Sequence, residues 1–215
     1  MFQSEILSST QVEIISKLGF LRKENIYLAG GAALAIQMGH RTSVDLDFFS
    51  EQGPDMQKIV AELQRNIKGI IIRRATEKTL FAEARNTDIS LFHYPYRLLG
   101  SFVESESLYL ASMEDIAAMK VAAIIQRGTM RDFIDMYYLL GKYNLRQILG
   151  FTKKKFPGYQ DVMALKALLF FEDARKEKTG RAIKVFDKSY SWDEVEKEIF
   201  RQVKNYQLAM IEGKL

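Results

Sequence analysis

Two glycines and two aspartates limit the folds open to this chain more than anything else in it: Gly30-Gly31 follows a short apolar run, and Asp45-Leu46-Asp47-Phe48 follows close behind. In an extended strand alternate side chains point the same way, so Asp45 and Asp47 share one face while Val44, Leu46 and Phe48 take the other. Two aligned carboxylates repel each other unless a cation lies between them, and Mg2+ favours such hard oxygens together with those of a nucleoside triphosphate. Glycine at the preceding turn lets the backbone bend sharply and approach a ligand closely. The pattern predicts a glycine turn set beside a carboxylate strand, a site for a divalent metal and phosphate.

Around that pattern the chain reads as α/β in its first half. Thr10-Gln11-Val12-Glu13 has capping-box spacing and predicts a short helix ending at Gly19. A buried strand over 26–29 runs into the glycine pair, and a helix over 32–38 closes at Gly39. The carboxylate strand spans 44–49, an amphipathic helix spans 55–67 with Ile59, Val60 and Leu63 inward, and a strand spans 70–74. Asn86-Thr87 reads as the turn of a hairpin joining 80–85 to 88–93.

From Ser112 the period turns helical. Ser112-Met113-Glu114-Asp115 supplies an N-cap with an acidic first turn, Gly128 breaks the helix, and Arg131 to Leu140 begins another. Further helices follow, with a boundary near Phe156-Pro157-Gly158 and a capping box at Ser191 to Glu194. The division between the halves is placed near residue 100, giving an α/β part over 1–100 and an α-helical part over 101–215. There is no cysteine, which excludes disulfides and thiolate chemistry. The start has neither the positive nor the apolar region of a signal peptide, and no apolar stretch is long enough to cross a bilayer, so a cytoplasmic protein with no membrane contact is expected. With 31 basic against 27 acidic residues the chain tolerates an anionic partner without demanding one.

Lys120 and Arg127 lie two helical turns apart and share a face. That stripe either carries charge to a triphosphate or forms a solvated face with an ion pair. Asp132 and Asp135 also share a face, and Asp132 in a first turn can serve the helix dipole alone. Lys153-Lys154-Lys155 beside Phe156 and Tyr159 is either a grip on RNA or a solvated run. Neither His40 nor His93 has a second histidine at ligand spacing.

Taken in order, Gly30-Gly31, His40-Arg41-Thr42-Ser43, Asp45-Leu46-Asp47-Phe48-Phe49, Lys120 and Arg127-Gly128 with Arg131-Asp132-Phe133-Ile134-Asp135 resemble the signature of the AbiEii/AbiGii toxin family, of the DNA polymerase beta-like nucleotidyltransferase superfamily. The resemblance covers about residues 15 to 145. It implies a mixed-sheet N-terminal domain and an α-helical C-terminal domain that completes the nucleotide site. It also implies transfer of a nucleoside monophosphate from a nucleoside triphosphate such as ATP or GTP, with Mg2+ or Mn2+, to a hydroxyl of RNA (tRNA-like) or protein. The biological role implied is that of a toxin held by a cognate antitoxin. Asp45 and Asp47 would be catalytic metal ligands, Lys120 and Asp135 catalytic, and Gly30, Gly31, Ser43, Lys120 and Arg127 nucleotide-binding. A third carboxylate is usual in the superfamily. Counting back from Tyr94-Pro95-Tyr96 puts its position nearer Ser90 than Asp88, with Asp88 the candidate ligand and Glu83 on the partner strand another. Two alternatives stand beside this reading: a nucleotide-binding interaction protein without catalysis, and an enzyme acting on a small hydroxylated molecule.

Overall fold

The computed structural model describes residues 5–105, 107–177 and 183–214; the stretch Met1 to Ser4, part of the start with no signal-peptide pattern, lies outside them. The chain divides into two compact units that meet at Ser112 and Met113.

The first unit opens with α1 (Ser9–Ser16), which starts earlier than the Thr10 spacing suggests. Ser8 is the N-cap: its Oγ accepts from the Gln11 N–H at 3.2 Å and the Gln11 side chain accepts from the Ser8 N–H at 2.9 Å. Gln11 thus closes the box that Glu13 was expected to close. A 3-10 turn over Gly19–Glu24 leads to β1 (Tyr27–Leu28), α2 (Gly30–Met38) and β2 (Leu46–Ser50). Next come α3 (Met56–Asn66), whose Asp55 cap accepts from the Gln57 and Lys58 amides, β3 (Ile71–Ala75), β4 (Thr79–Ala84) and β5 (Thr87–His93). On α3 the buried residues are Met56, Ile59 and Leu63, and Val60 is half-buried. Between β4 and β5 the turn is Arg85-Asn86, with φ of 49° and 64°, one residue earlier than expected. A two-residue hairpin turn of this kind needs positive φ at both central positions, which β-branched Thr87 resists; Thr87 joins the strand and is buried instead.

Two further short strands, β6 (Val103–Glu104) and β7 (Tyr109–Leu110), complete a seven-stranded mixed sheet in the order β3-β4-β5-β2-β1-β7-β6. β2 runs parallel to β5 and β1 parallel to β7, while the remaining pairs are antiparallel. Because β6 and β7 belong to this sheet, the first unit extends past residue 100 to Ser112. One side of β2 is core, with Leu46, Phe48 and Ser50 buried, and the alternate residues Asp47 and Phe49 are only half-buried. That alternation is the period-2 pattern of a strand whose second face lines a less enclosed surface.

The second unit consists, among the described residues, of helices: α4 (Met113–Gln126), α5 (Met130–Leu140), α6 (Leu145–Lys155), α7 (Asp161–Leu168), α8 (Glu172–Lys176) and α9 (Trp192–Ile211). α4 is its centre, packed by α5, α6 and α7, and α9 covers α5, α6 and α7. Ala117 and Ala118 are fully buried on α4, and such small side chains allow close approach of neighbouring helices. Phe133 of α5, Phe171 and Trp192 form an edge-to-face cluster that ties the start of α9 to α5. Ser191 caps α9, accepting from the Glu194 N–H at 3.2 Å.

Candidate active site

In the first unit the glycine pair and the carboxylate strand meet. β1 delivers the chain to Ala29, whose N–H donates to the Asp47 carbonyl at 3.0 Å, and α2 begins at the next residue. Gly30 has φ +63°, a left-handed conformation that suits glycine, and a Cβ placed on it would lie 3.5 Å from Asp47 Oδ2. Gly31 is constrained differently: a Cβ there would lie 2.5 Å from Nη2 of Arg41, so any side chain would displace the guanidinium. Arg41 is buried and its Nη1 donates to the Thr42 carbonyl at 2.8 Å. The first turn of α2 receives no side-chain cap, and a helix N-terminus presents amide donors and a positive dipole end to anions.

Asp45 lies just before β2 rather than inside it, because the chain ahead of the strand is pinned elsewhere: the Ser43 N–H donates to the Ile6 carbonyl at 3.1 Å. Ser43 is buried and His40 with it. On the face that carries Asp47, paired strands bring half-buried aromatic rings alongside. Phe49 lies 5.4 Å from Phe92 and 5.2 Å from Tyr94, and Tyr94 lies 4.8 Å from Tyr96 between ring centres.

The register also locates the remaining acids. Asp47 pairs with Ser90 and Asp88 pairs with Glu83, one step further along the sheet. Glu83 is ion-paired with Arg73, whose charge Asp88 also favours. Asp88 therefore belongs to a charged row with Glu83 and Arg73 and does not stand level with Asp47. Among the described residues no group of three or more His, Asp or Glu side chains is gathered to hold a metal. Two carboxylates suit one Mg2+, which is commonly held by one or two carboxylates with the other positions taken by water and substrate phosphates.

In the second unit Gly128, at φ +52°, ends α4 and lets the chain fold back into α5. The Thr129 hydroxyl donates to Asp132 Oδ2 at 2.7 Å, and a reciprocal cap at Thr129 fixes the start of α5. The reversal brings four charged residues together. Lys120 Nζ lies 2.9 Å from Asp132 Oδ1 and 2.6 Å from Asp135 Oδ2, and Arg127 Nε donates to Asp132 Oδ2 at 3.2 Å. The Lys120 side chain is 7% exposed, Asp132 1% and Asp135 0%, whereas Arg127 is 66% exposed. Burial by itself pushes the Asp132 carboxyl up, but Lys120, Arg127 and Thr129 outweigh it and hold it at about 2. Asp132 thus joins the cap of its own helix to the lysine of the previous one.

A second buried ion pair has no counterpart in the sequence reading. Lys155 Nζ of α6 lies 2.7 Å from Asp115 Oδ1 of α4, with both side chains 0% exposed. Of the three lysines read as a basic run, Lys153 and Lys154 are exposed and Lys155 is core. The signal was present in the period: Ile148, Thr152 and Lys155 follow one another on the buried face of α6.

A glycine turn at a helix N-terminus against a carboxylate strand of a mixed sheet, with a separate helical unit, defines the nucleotidyltransferase class of fold. The comparisons agree. The family model described as "Nucleotidyl transferase AbiEii toxin, Type IV TA system" matches residues 20–185, and this chain belongs to that family. An uncharacterised protein of Aquifex aeolicus, aq_aa25, is 34% identical over 207 residues, covering 93% of this chain and 97% of that one. Among solved structures, JHP933 from Helicobacter pylori is similar with a TM-score of 0.63 at 16% identity, covering 95% of each chain. MenT4, a nucleotidyltransferase toxin from Mycobacterium tuberculosis, is similar with a TM-score of 0.53 at 14% identity, covering 90% of this chain and 80% of that one. The chain is a nucleotidyltransferase of a toxin family, and no helix among its described residues is long and apolar enough to cross a membrane.

Proposed function

We propose that the protein transfers a nucleoside monophosphate from a nucleoside triphosphate to an acceptor hydroxyl, with the reaction centred on Asp45 and Asp47. The observation that carries this reading is the approach of Gly30 to Asp47, which sets amide donors and a carboxylate within a few ångströms of each other. Amides of the Gly30-Gly31 turn bind phosphate oxygens, and the buried Arg41 guanidinium beneath Gly31 adds fixed positive charge to the same turn. Asp45 and Asp47 hold a Mg2+ or Mn2+ ion, which when bound neutralises charge on the phosphates and on the leaving pyrophosphate. Ser43, two residues before Asp45, supports the approach to the strand. Asp88 stands outside this set by its register.

In the helical unit Lys120 is the triphosphate's cation. Asp132 and Asp135 hold its ammonium in one position, and such preorganised charge stabilises a phosphoryl-transfer transition state without rearrangement during the reaction. Arg127, anchored through Nε and largely exposed, offers its remaining guanidinium N–H groups to anionic oxygen. The α-helical unit thereby completes the nucleotide site.

RNA is the acceptor we favour. Half-buried aromatic rings beside Asp47, Phe49, Phe92, Tyr94 and Tyr96, are a surface on which a terminal base can stack. A protein acceptor and a small hydroxylated acceptor are the other outcomes of the test. In the cell the protein acts as a toxin held by a cognate antitoxin. The test offers total RNA and the protein itself with each of the four α-labelled triphosphates and Mg2+. Label on RNA supports the acceptor assignment, label on protein moves it, and absence of label with every acceptor overturns the reaction.

A further inference from the structure

Resting on the assignment of Asp45 and Asp47 above, we propose that this chain works with a single divalent cation, and that Ser90 occupies the position where a second cation would need a carboxylate. The sheet register makes the case. The row through Asp47 can be followed from β1 to β4: the Ala29 N–H donates to the Asp47 carbonyl, Asp47 pairs with Ser90, and Ser90 pairs with Phe81. Ala29, Ser90 and Phe81 supply no charge. The adjoining row holds Tyr27, Phe49, Phe92 and Thr79 and is likewise without an acid. Acids reappear only with Asp88 and Glu83, and that pair is turned to Arg73. Two residues along a strand are about 6 to 7 Å, further than a carboxylate that ligates a common ion can stand from its partner.

Charge decides how many ions such a row can hold. Two dications at the roughly 3.5 to 4 Å spacing of two-metal centres repel strongly and are tolerated only between several carboxylates, at least one of which touches both. Asp45 and Asp47 provide two negative charges, and a serine hydroxyl contributes a lone pair without charge. One ion therefore sits with the nucleotide, completed by phosphate oxygens and water, and a second has no carboxylate to bridge to.

Mn2+ bound to the protein in the presence of a non-hydrolysable α,β-methylene triphosphate, counted by electron paramagnetic resonance, tests this without turnover. Wild type is expected to hold one Mn2+ per bound nucleotide. Asp88→Asn and Ser90→Ala should leave both the count and the affinity unchanged, and Ser90→Asp should create a second site at least about tenfold tighter than any second site in wild type. Thermal melting establishes that each variant is folded, and the Asp88 and Ser90→Ala results stand even where Ser90→Asp does not fold. Two ions in wild type, or the loss of one in Asp88→Asn, would overturn the single-cation proposal while leaving Asp45 and Asp47 as ligands. An unchanged Mn2+ affinity in Asp45→Asn/Asp47→Asn would overturn the proposal together with the assignment it rests on.

Discussion

The helical unit buries two lysine–carboxylate clusters, and the contrast between them is instructive. Lys155 and Asp115 are sealed, each 0% exposed, with one ion pair joining α6 to α4. Lys120 is engaged by two carboxylates, Asp132 also binds Arg127 and Thr129, and the cluster reaches solvent through the 66% exposed Arg127. A sealed pair satisfies its own charges and holds two helices in register. A cluster with more acceptors than one cation requires, opening outward through a second cation, is equipped to present positive charge to an anion. Burial alone does not separate the two; the surplus of partners and the route to solvent do.

That contrast can be broken most severely at Lys120. Lys120→Met should lower the transfer rate per folded molecule by roughly 10^3- to 10^5-fold, the range for removing a positioned cation from phosphoryl transfer. Steady-state transfer assays corrected for folded fraction would check it, and a rate within a fewfold of wild type would make this cluster as structural as the other. Next in size, Lys155→Met should cost about 3 to 5 kcal/mol of stability by leaving Asp115 buried without its cation, while the folded fraction transfers at the wild-type rate. Replacing both as Asp115→Leu/Lys155→Met should recover most of that loss in urea denaturation, because a well-packed apolar pair can replace a buried ion pair.

Acid provides a subtler test. Asp132 is held at about 2, below its usual 3.8, so its charge contributes stability that is fully present above about pH 4 and is lost as pH falls through about 2. Denaturation followed by Trp192, which packs on Phe133 in the same unit, should show wild type losing on the order of 2 kcal/mol more than Asp132→Asn across that interval. Equal pH slopes would mean that Asp132 is not held as described. The smallest effect is expected at Arg127→Ala, which should change stability by less than about 1 kcal/mol because the side chain is largely in water.

Local pattern and spacing carried much of the fold. Helices with strong caps and a hairpin between alternating strands are written in neighbouring residues, and α2, α3, β4 and β5 lie within a residue or two of where the sequence puts them. The missed features depend on residues that meet only in the folded chain. Gly31 is a glycine because Arg41 packs against it, and nothing in the glycine pair itself announces that. Ser90 stands beside Asp47 because β2 and β5 are parallel neighbours, a pairing that strand patterns do not specify. β6 and β7 are two residues each, too short to carry a period, so the first unit runs on past the division placed near residue 100. Lys155 was legible in principle, since the helical period puts it under Ile148 and Thr152, but a run of three lysines draws the eye to the surface.

The most direct test of the whole account is nucleotide transfer by Asp47→Asn measured beside its melting curve. The account predicts a melting temperature close to wild type, since Asp47 is half-buried at a strand position whose backbone bonds are unchanged, with transfer reduced at least about 1,000-fold. Transfer at the wild-type rate by a folded Asp47→Asn protein would contradict it.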